Sequence, residues 1–173
     1  DIDGNQLYNN IFYENPSHQF DGIVKINDYE YMLLGTNRVN DNVGQGLISK
    51  FNKQTNELIE LQSFGNNGAQ DLFYEHILDE SEIVIVGHSK SFGCSSASVD
   101  GCAWVVKTDL NGQVIWQYAY DETHAAYSIE KSDFGYIIVG TYFIGGGAYP
   151  YILGIDNQGN EIWRTNFNEY GYG

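Results

Sequence analysis

The sequence repeats with a period of about 50 residues, and this period restricts the possible folds more than any other feature of the chain. The clearest mark is an apolar segment that ends in glycine, found as YMLLG, IVIVG and YIIVG. The final glycines, Gly35, Gly87 and Gly140, are 52 and 53 residues apart. Repeats of this length are typical of propellers and arrays, in which each copy packs against its neighbours.

Each copy of the repeat contains four candidate β-strands, a to d, of which the glycine-ended segment is strand b. Strand a precedes it as FDGIVKI (20–26), DLFYEHI (71–77) or AAYSIEK (125–131). Strand c follows it as LISKFN (47–52), WVVKTD (104–109) or YILGID (151–156). Strand d closes the copies as NELIELQSF, GQVIWQYAY and GNEIWRTNF, and the opening DIDGNQLYNNIFY matches strand d alone. Short polar turns between these segments favour antiparallel hairpins.

The turn between strands c and d has a predictable chemistry. Gly4, Asn56, Gly112 and Gly159 occupy equivalent places, and these residue types enter positive φ at low cost. Asp1, Asp109 and Asp156 precede three of them, where a carboxylate accepts the N–H groups of the turn. A calcium loop would need D-x-[DN]-x-[DN]-G and a distal Glu, and the sequence has neither. The pattern therefore favours a turn over a calcium site.

These observations predict an all-β fold of four-stranded β-propeller blades. The expected organisation is an outer strand of a preceding blade at 1–15 and three blades at 16–66, 67–121 and 122–173. Thirteen strands make an incomplete propeller, because closed propellers use about four to eight blades. The missing strands are expected from sequence on either side or from neighbouring subunits.

Two of the turn segments carry a resemblance to known families. VVKTDLNGQVIW and LGIDNQGNEIW resemble the repeats of bacterial secreted β-propeller proteins and are similar to the blades of quinoprotein (PQQ-type) propellers. The resemblance covers essentially all 173 residues, but its motifs specify blades and no reaction. The quinoprotein branch would imply PQQ and a metal on one face. The sialidase Asp-box, S-x-D-x-G-x-T-W, is not met, because the spacing here is D-x-x-G-x-x-x-W.

Charge and hydropathy exclude two classes of partner. The chain has 23 acidic and 8 basic residues, a formal charge of −15, and no Lys/Arg cluster. Such a surface repels a phosphate backbone, so nucleic acid and anionic membranes are poor partners. No apolar run approaches the roughly 20 residues that span a bilayer, so no membrane insertion is expected. The acidic excess serves solubility or forms a cation-binding face.

Cys94 and Cys102 are the two cysteines, in the Gly/Ser-rich segment FGCSSASVDGCAW. Their spacing is not the CxxC of zinc or thioredoxin-type sites. The segment predicts a loop closed by a disulfide, which indicates an oxidising, extracellular or cell-surface location. Two free thiols in a cytosolic protein are the alternative.

No complete catalytic motif occurs in the sequence. GHSKSFG (87–93) lacks the second glycine of G-x-S-x-G, and SIEK (128–131) lies in a predicted strand whose alternation separates its Ser and Lys. His18, His88 and His124 edge one predicted face, but they come from separate copies and are interpreted as polar loop residues. We therefore predict no catalytic residue, no metal site and no cofactor.

The b–c connections, 36–46, 88–101 and 141–150, are predicted to be long loops on one face. Such loops on a rigid scaffold often bind partners, although propeller loops also tolerate insertions without function. The candidate ligand-binding residues are His88, Phe92, Asp100, Tyr142, Phe143 and Tyr149. The aromatic side chains among them are expected to face solvent and contact a protein or glycan partner.

The sequence favours a non-catalytic extracellular propeller segment that serves as a binding, adhesion or structural scaffold module. The alternatives are a quinoprotein-like oxidoreductase and a glycan-binding or glycan-processing propeller. The first would need Lys or Arg for the cofactor carboxylates, and the second a pair of carboxylates near the propeller axis.

Overall fold

The computed structural model describes residues 18–40, 43–65, 69–93 and 101–167. The fold is all-β, and these described ranges contain twelve strands and no helix. The strands form three four-stranded antiparallel sheets, as the sequence predicts. In the same ranges no helix has the length and hydropathy needed to cross a membrane.

Each sheet is made of four strands that are consecutive in the chain. The first sheet contains β1 (His18–Lys25), β2 (Glu30–Asn40), β3 (Val43–Asn52) and β4 (Glu57–Phe64). The second contains β5 (Asp71–Asp79), β6 (Glu82–Ser89), β7 (Cys102–Asp109) and β8 (Val114–Tyr120). The third contains β9 (Ala125–Ser132), β10 (Gly135–Ile144), β11 (Gly147–Asp156) and β12 (Glu161–Asn166). Strands a and d of each copy are therefore the two edges of one sheet.

The c–d turns have the predicted chemistry. Asn56, Gly112 and Gly159 have φ values of 61°, 78° and 85°. Asp109 Oδ1 accepts hydrogen bonds from the N–H groups of Asn111 and Gln113, at 2.8 and 2.9 Å. Asp156 holds the equivalent turn of the third sheet in the same way. The prediction for the described turns is confirmed, whereas Asp1 and Gly4 lie outside the described residues.

A β-bulge in strand a explains the glycine that ends each strand b. In the three sheets the bulged residues are Asp21, Tyr74 and Tyr127, each the residue left without a partner in the a–b register. A Cβ on Gly87 would collide with the carbonyl oxygen of Leu72, just before the bulge. Gly35 and Gly140 face the equivalent carbonyls in the same way. Glycine is required here because the strand backbones approach closely.

In both pairs of neighbouring sheets, strand a of the later sheet contacts strands a, b and c of the earlier sheet. β5 contacts β1, β2 and β3 of the first sheet, and β9 contacts β5, β6 and β7 of the second. Two apolar cores fill these interfaces. One includes Met32, Leu34 and Ile48 from the first sheet and Phe73, Ile85 and Trp104 from the second. The other includes Val84, Val86 and Val105 from the second sheet and Tyr136, Ile138 and Leu153 from the third.

Two of the predicted long loops are strand extensions instead. β2 continues to Asn40 and β3 begins at Val43, so most of 36–46 is a hairpin. Likewise β10 and β11 pair as far as Ile144 and Gly147. Gly145 and Gly146 form the turn with φ values of 58° and 85°, the conformation of a two-residue type I′ hairpin. Glycine allowed the hairpin to continue where a flexible loop was expected.

Candidate functional site

The b–c end of the sheets holds the residues that the sequence singled out, and several of them are core residues. Phe92 stacks on Trp104 with 5.1 Å between ring centroids, and Trp104 stacks in turn on Phe73 at 5.0 Å. Phe92 is therefore partly buried against the core between the first two sheets, whereas the sequence predicted a ring that faces solvent. Its position in the sequence gave no indication of this, because the partner rings come from other strands.

Asp71 fixes the start of the 88–101 connection. Its fully buried carboxylate accepts hydrogen bonds from the hydroxyls of Ser89 and Ser91, at 2.6 and 2.7 Å. The backbone N–H groups of Lys90 and Ser91 also donate to it, at 3.1 and 3.2 Å. These four hydrogen bonds engage both carboxylate oxygens of Asp71. The arrangement therefore orders the start of the connection and leaves no free carboxylate to act as a base.

His88, His124 and Phe143 form a row of rings between the second and third sheets. The centroids of His88 and His124 are 4.9 Å apart, and those of His124 and Phe143 are 4.4 Å apart. The sequence placed these two histidines on one face, and the structure brings them into contact. His88 is 2% exposed, so a ligand would not reach it unless the neighbouring rings of the row moved.

The β10–β11 hairpin has one buried and one exposed side. Tyr142 is 7% exposed and lies in the core with Tyr149 beside it, at 5.8 Å between centroids. The expectation of a solvent-facing Tyr142 is wrong, because β10 continues as a strand and alternation turns this ring towards the second sheet. Phe143 and Ile144 are 47% and 55% exposed near the hairpin tip.

Two predicted residues lie outside the described ranges. Asp100 and Cys94 belong to the segment 94–100. Cys102 is buried at the start of β7, with its Sγ 3.8 Å from the carbonyl oxygen of Phe92. The Cys94–Cys102 disulfide therefore stays a prediction. In the part of the chain that is described, no group of three or more His, Cys, Asp or Glu side chains has the geometry of a metal site.

A cleft lies between β1 and β2 of the first sheet and β5 of the second. It has a volume of about 260 Å³ and is lined by Asp21, Thr36, Arg38 and Tyr74, among others. Burial raises the pKa of the Tyr74 hydroxyl, Tyr127 adds to this effect, and the positive charge of Arg38 opposes it. The rings of the bulged residues Tyr74 and Tyr127 are 5.3 Å apart. Sequence reasoning missed this cleft, since its residues have no shared motif.

An ionic network joins the second and third sheets at the end opposite the b–c connections. The hydroxyl of Tyr136 donates to Asp79 at 2.6 Å, and Lys131 pairs with the same carboxylate. Lys107 donates to Tyr136 at 3.1 Å and pairs with Glu82 at 2.5 Å. Burial alone would raise the pKa of Asp79, but the bonds from Lys131 and Tyr136 outweigh it and hold the pKa below its usual value. The network therefore links the second and third sheets.

The outer face of the third sheet carries an open groove. The groove has a volume of about 930 Å³ and is lined mainly by apolar residues of β10 and β11, such as Val139, Pro150 and Ile152, together with Phe167. Val139 is 40% exposed there. None of the residues that line the groove is charged, although the chain carries a formal charge of −15.

In the first and second sheets, the face that corresponds to the groove is buried in an inter-sheet core. Gly35, Gly87 and Gly140 pair with Leu47, Trp104 and Tyr151, and this register aligns the three sheets. The aligned residues of the first sheet are Met32, Leu34, Ile48 and Phe64, all buried. Those of the second are Val84, Val86, Val105 and Tyr120, all buried. Those of the third are Ile137, Val139, Ile152 and Phe167, all partly or largely exposed.

No model of a known protein family matches the chain, and no curated protein matches its sequence.

Proposed function

We propose that the chain is a β-propeller segment that serves as a non-catalytic extracellular binding or structural scaffold. The three sheets then are successive blades, each with its strand a nearest the propeller axis and its strand d at the outer edge. The scaffold binds a protein partner through the exposed apolar tip of the β10–β11 hairpin. The extracellular location rests on the predicted Cys94–Cys102 disulfide.

The observation that carries this proposal is the repeated relation between sheets. Strand a of the second sheet lies against strands a, b and c of the first, and strand a of the third lies in the same way against the second. Propeller blades also repeat one packing relation from each sheet to the next. The buried carboxylates support the non-catalytic role, because Asp71 and Asp79 are both engaged in structural hydrogen bonds.

The exposed apolar residues of the third sheet support the binding role. Phe143 and Ile144 stand near the tip of the β10–β11 hairpin, and their side chains are 47% and 55% exposed. A contiguous apolar surface of this kind on a soluble protein marks an interaction site. Its lack of charge favours a protein surface over an ionic ligand.

An assay for turnover and cofactor binding tests the proposal. The purified protein is incubated with generic ester, peptide and glycoside substrates, and separately with PQQ and Ca²⁺ before gel filtration. We expect no hydrolysis above the buffer rate and no quinone absorbance with the protein peak. Hydrolysis that is lost on unfolding, or PQQ retained at a one-to-one ratio, would contradict the non-catalytic assignment.

A further inference from the structure

We propose that the outer face of the third sheet is the docking site for a fourth sheet of the same repeat, contributed by the same polypeptide. This inference rests on the proposed propeller arrangement and assigns the groove on this face to a contact within the same polypeptide. The contact would be made by Ile137, Val139, Ile152 and Phe167. Their counterparts in both other sheets are buried in inter-sheet cores.

The strands of the third sheet have the composition of strands buried on both faces. β6 carries the run IVIV at 83–86, and all four residues are fully buried because the second sheet lies between two others. β10 carries the equivalent run YIIV at 136–139. Continuous apolar runs are typical of strands covered on both sides. In β10, however, Tyr136 and Ile138 are buried while Val139 is 40% exposed.

The occupant is inferred from what covers the other two faces. The face of the first sheet is covered by β5, which begins at Asp71, seven residues after Phe64 ends β4. The face of the second is covered by β9, which begins five residues after Tyr120 ends β8. In both cases the covering sheet is the next one along the chain. Phe167 is the counterpart of Phe64 and Tyr120, since its N–H donates to Pro150 in the register position of Gly46 and Ala103.

A second copy of the chain is a poorer occupant than a fourth repeat. In a head-to-tail pair the groove would receive the opposite face of the first sheet, which presents Leu47 and Ser49 from β3. These two side chains are 0% and 1% exposed within a single chain. These two side chains are therefore covered already and are not free to enter a neighbour's groove.

The chain itself supplies the probe for the test. A second copy of residues 121–167 is joined after Phe167, and Val139→Cys is introduced into the third sheet of the extended and the original chain. Alkylation of the new thiol is followed by mass spectrometry at peptide level, so that the native cysteines do not interfere. We expect labelling at least about tenfold slower in the extended chain, because the docked sheet excludes the reagent. Ile59→Cys on the first sheet, 54% exposed, is the matched control and should label equally in both chains.

A stability measurement covers the case in which the cysteine variant folds poorly. The extended chain should melt at least about 5 °C above the original chain, since a cooperative interface is added. The pair Val139→Thr and Ile152→Thr keeps β-branched side chains and should remove most of this gain, while it changes the original chain by no more than about 2 °C. Equal labelling of Val139→Cys in both chains, or no rise in melting temperature, would overturn the inference.

Sedimentation equilibrium of the original chain separates the two possible occupants. We expect a monomer whose Val139→Cys labelling rate does not change with protein concentration. A dimer in which that thiol is protected would overturn the inference in favour of a second copy. Turnover or cofactor retention would instead remove the proposed function and leave the docking face unaffected, so the two proposals fail separately.

Discussion

Gly87 and its counterparts Gly35 and Gly140 determine how strands a and b meet in every sheet. The bulge in strand a turns a backbone carbonyl towards the glycine, and no space remains for a Cβ. The same residues are the clearest mark of the repeat in the sequence. Their spacing could be recognised from sequence, but its cause could not, since the bulge is a property of the facing strand.

Replacing Gly87 by Ala should destabilise the protein strongly. The added Cβ would collide with the carbonyl oxygen of Leu72, and both strands would have to move within a packed core. We expect a loss of about 2–4 kcal/mol in the free energy of unfolding, measured by urea titration. Gly145→Asn is the matched control, because nothing lies within 4 Å of a Cβ there and Asn tolerates its φ of 58°. A loss below about 1 kcal/mol for Gly87→Ala would show that the close approach is not required.

At the scale of elements, strands and turns were predictable and the extents of the hairpins were not. Apolar segments between polar turns identified all twelve described strands, and Asp109 with Gly112 identified one turn chemistry correctly. The segment 141–150 was expected to be a loop because its three glycines interrupt the pattern. Two of them instead form a tight turn, and pairing of the flanking residues continues to Ile144.

The burial of the predicted site residues depends on contacts with other strands and with neighbouring sheets. Phe92 is covered by Trp104 across the sheet, and His88 by His124 of the next sheet. Such contacts are not encoded in the local pattern of one strand. Sequence reasoning placed the candidate residues at the b–c end of the sheets, but it did not separate core rings from exposed ones.

The connection between β6 and β7 should carry a disulfide between Cys94 and Cys102. A covalent link would close the connection that Asp71 and Phe92 order at its start. Alkylation of the unreduced protein in denaturant should modify neither cysteine, and prior reduction should make both reactive. Modification of both thiols without reduction would contradict the disulfide and remove the support for an extracellular location.

For the whole molecule, the interface between the second and third sheets combines an apolar core with the Asp79 network. Because the folded-state pKa of Asp79 is depressed, its contribution to stability is complete above the unfolded pKa near 3.8. That contribution is lost as the pH falls through the lower folded-state pKa. The two sheets should therefore become less firmly joined in strong acid.

Asp79→Asn should test this contribution. We expect a loss of about 2–3 kcal/mol in the free energy of unfolding at pH 7, since Lys131 and Tyr136 lose a charged acceptor in a largely buried place. The difference between the variant and the original chain should narrow as the pH falls through the depressed folded-state pKa of Asp79, because the carboxyl then becomes protonated. Urea titrations at pH 7 and in strong acid measure it. Equal differences at both pH values would show that the charge of Asp79 does not link the sheets.

The central claim is that the three sheets are successive steps around one axis, and distances between equivalent turns test it most directly. Spin labels are carried on non-natural residues at Thr55, Asn111 and Gln158, which are exposed in the three c–d turns. Pulsed electron resonance then gives the three pairwise distances. We predict equal distances from the first to the second turn and from the second to the third. We also predict a first-to-third distance of about 1.4 to 1.85 times that value, as rings of four to eight blades require. Unequal neighbouring distances, or a ratio of 2 as in a straight stack, would contradict the propeller arrangement.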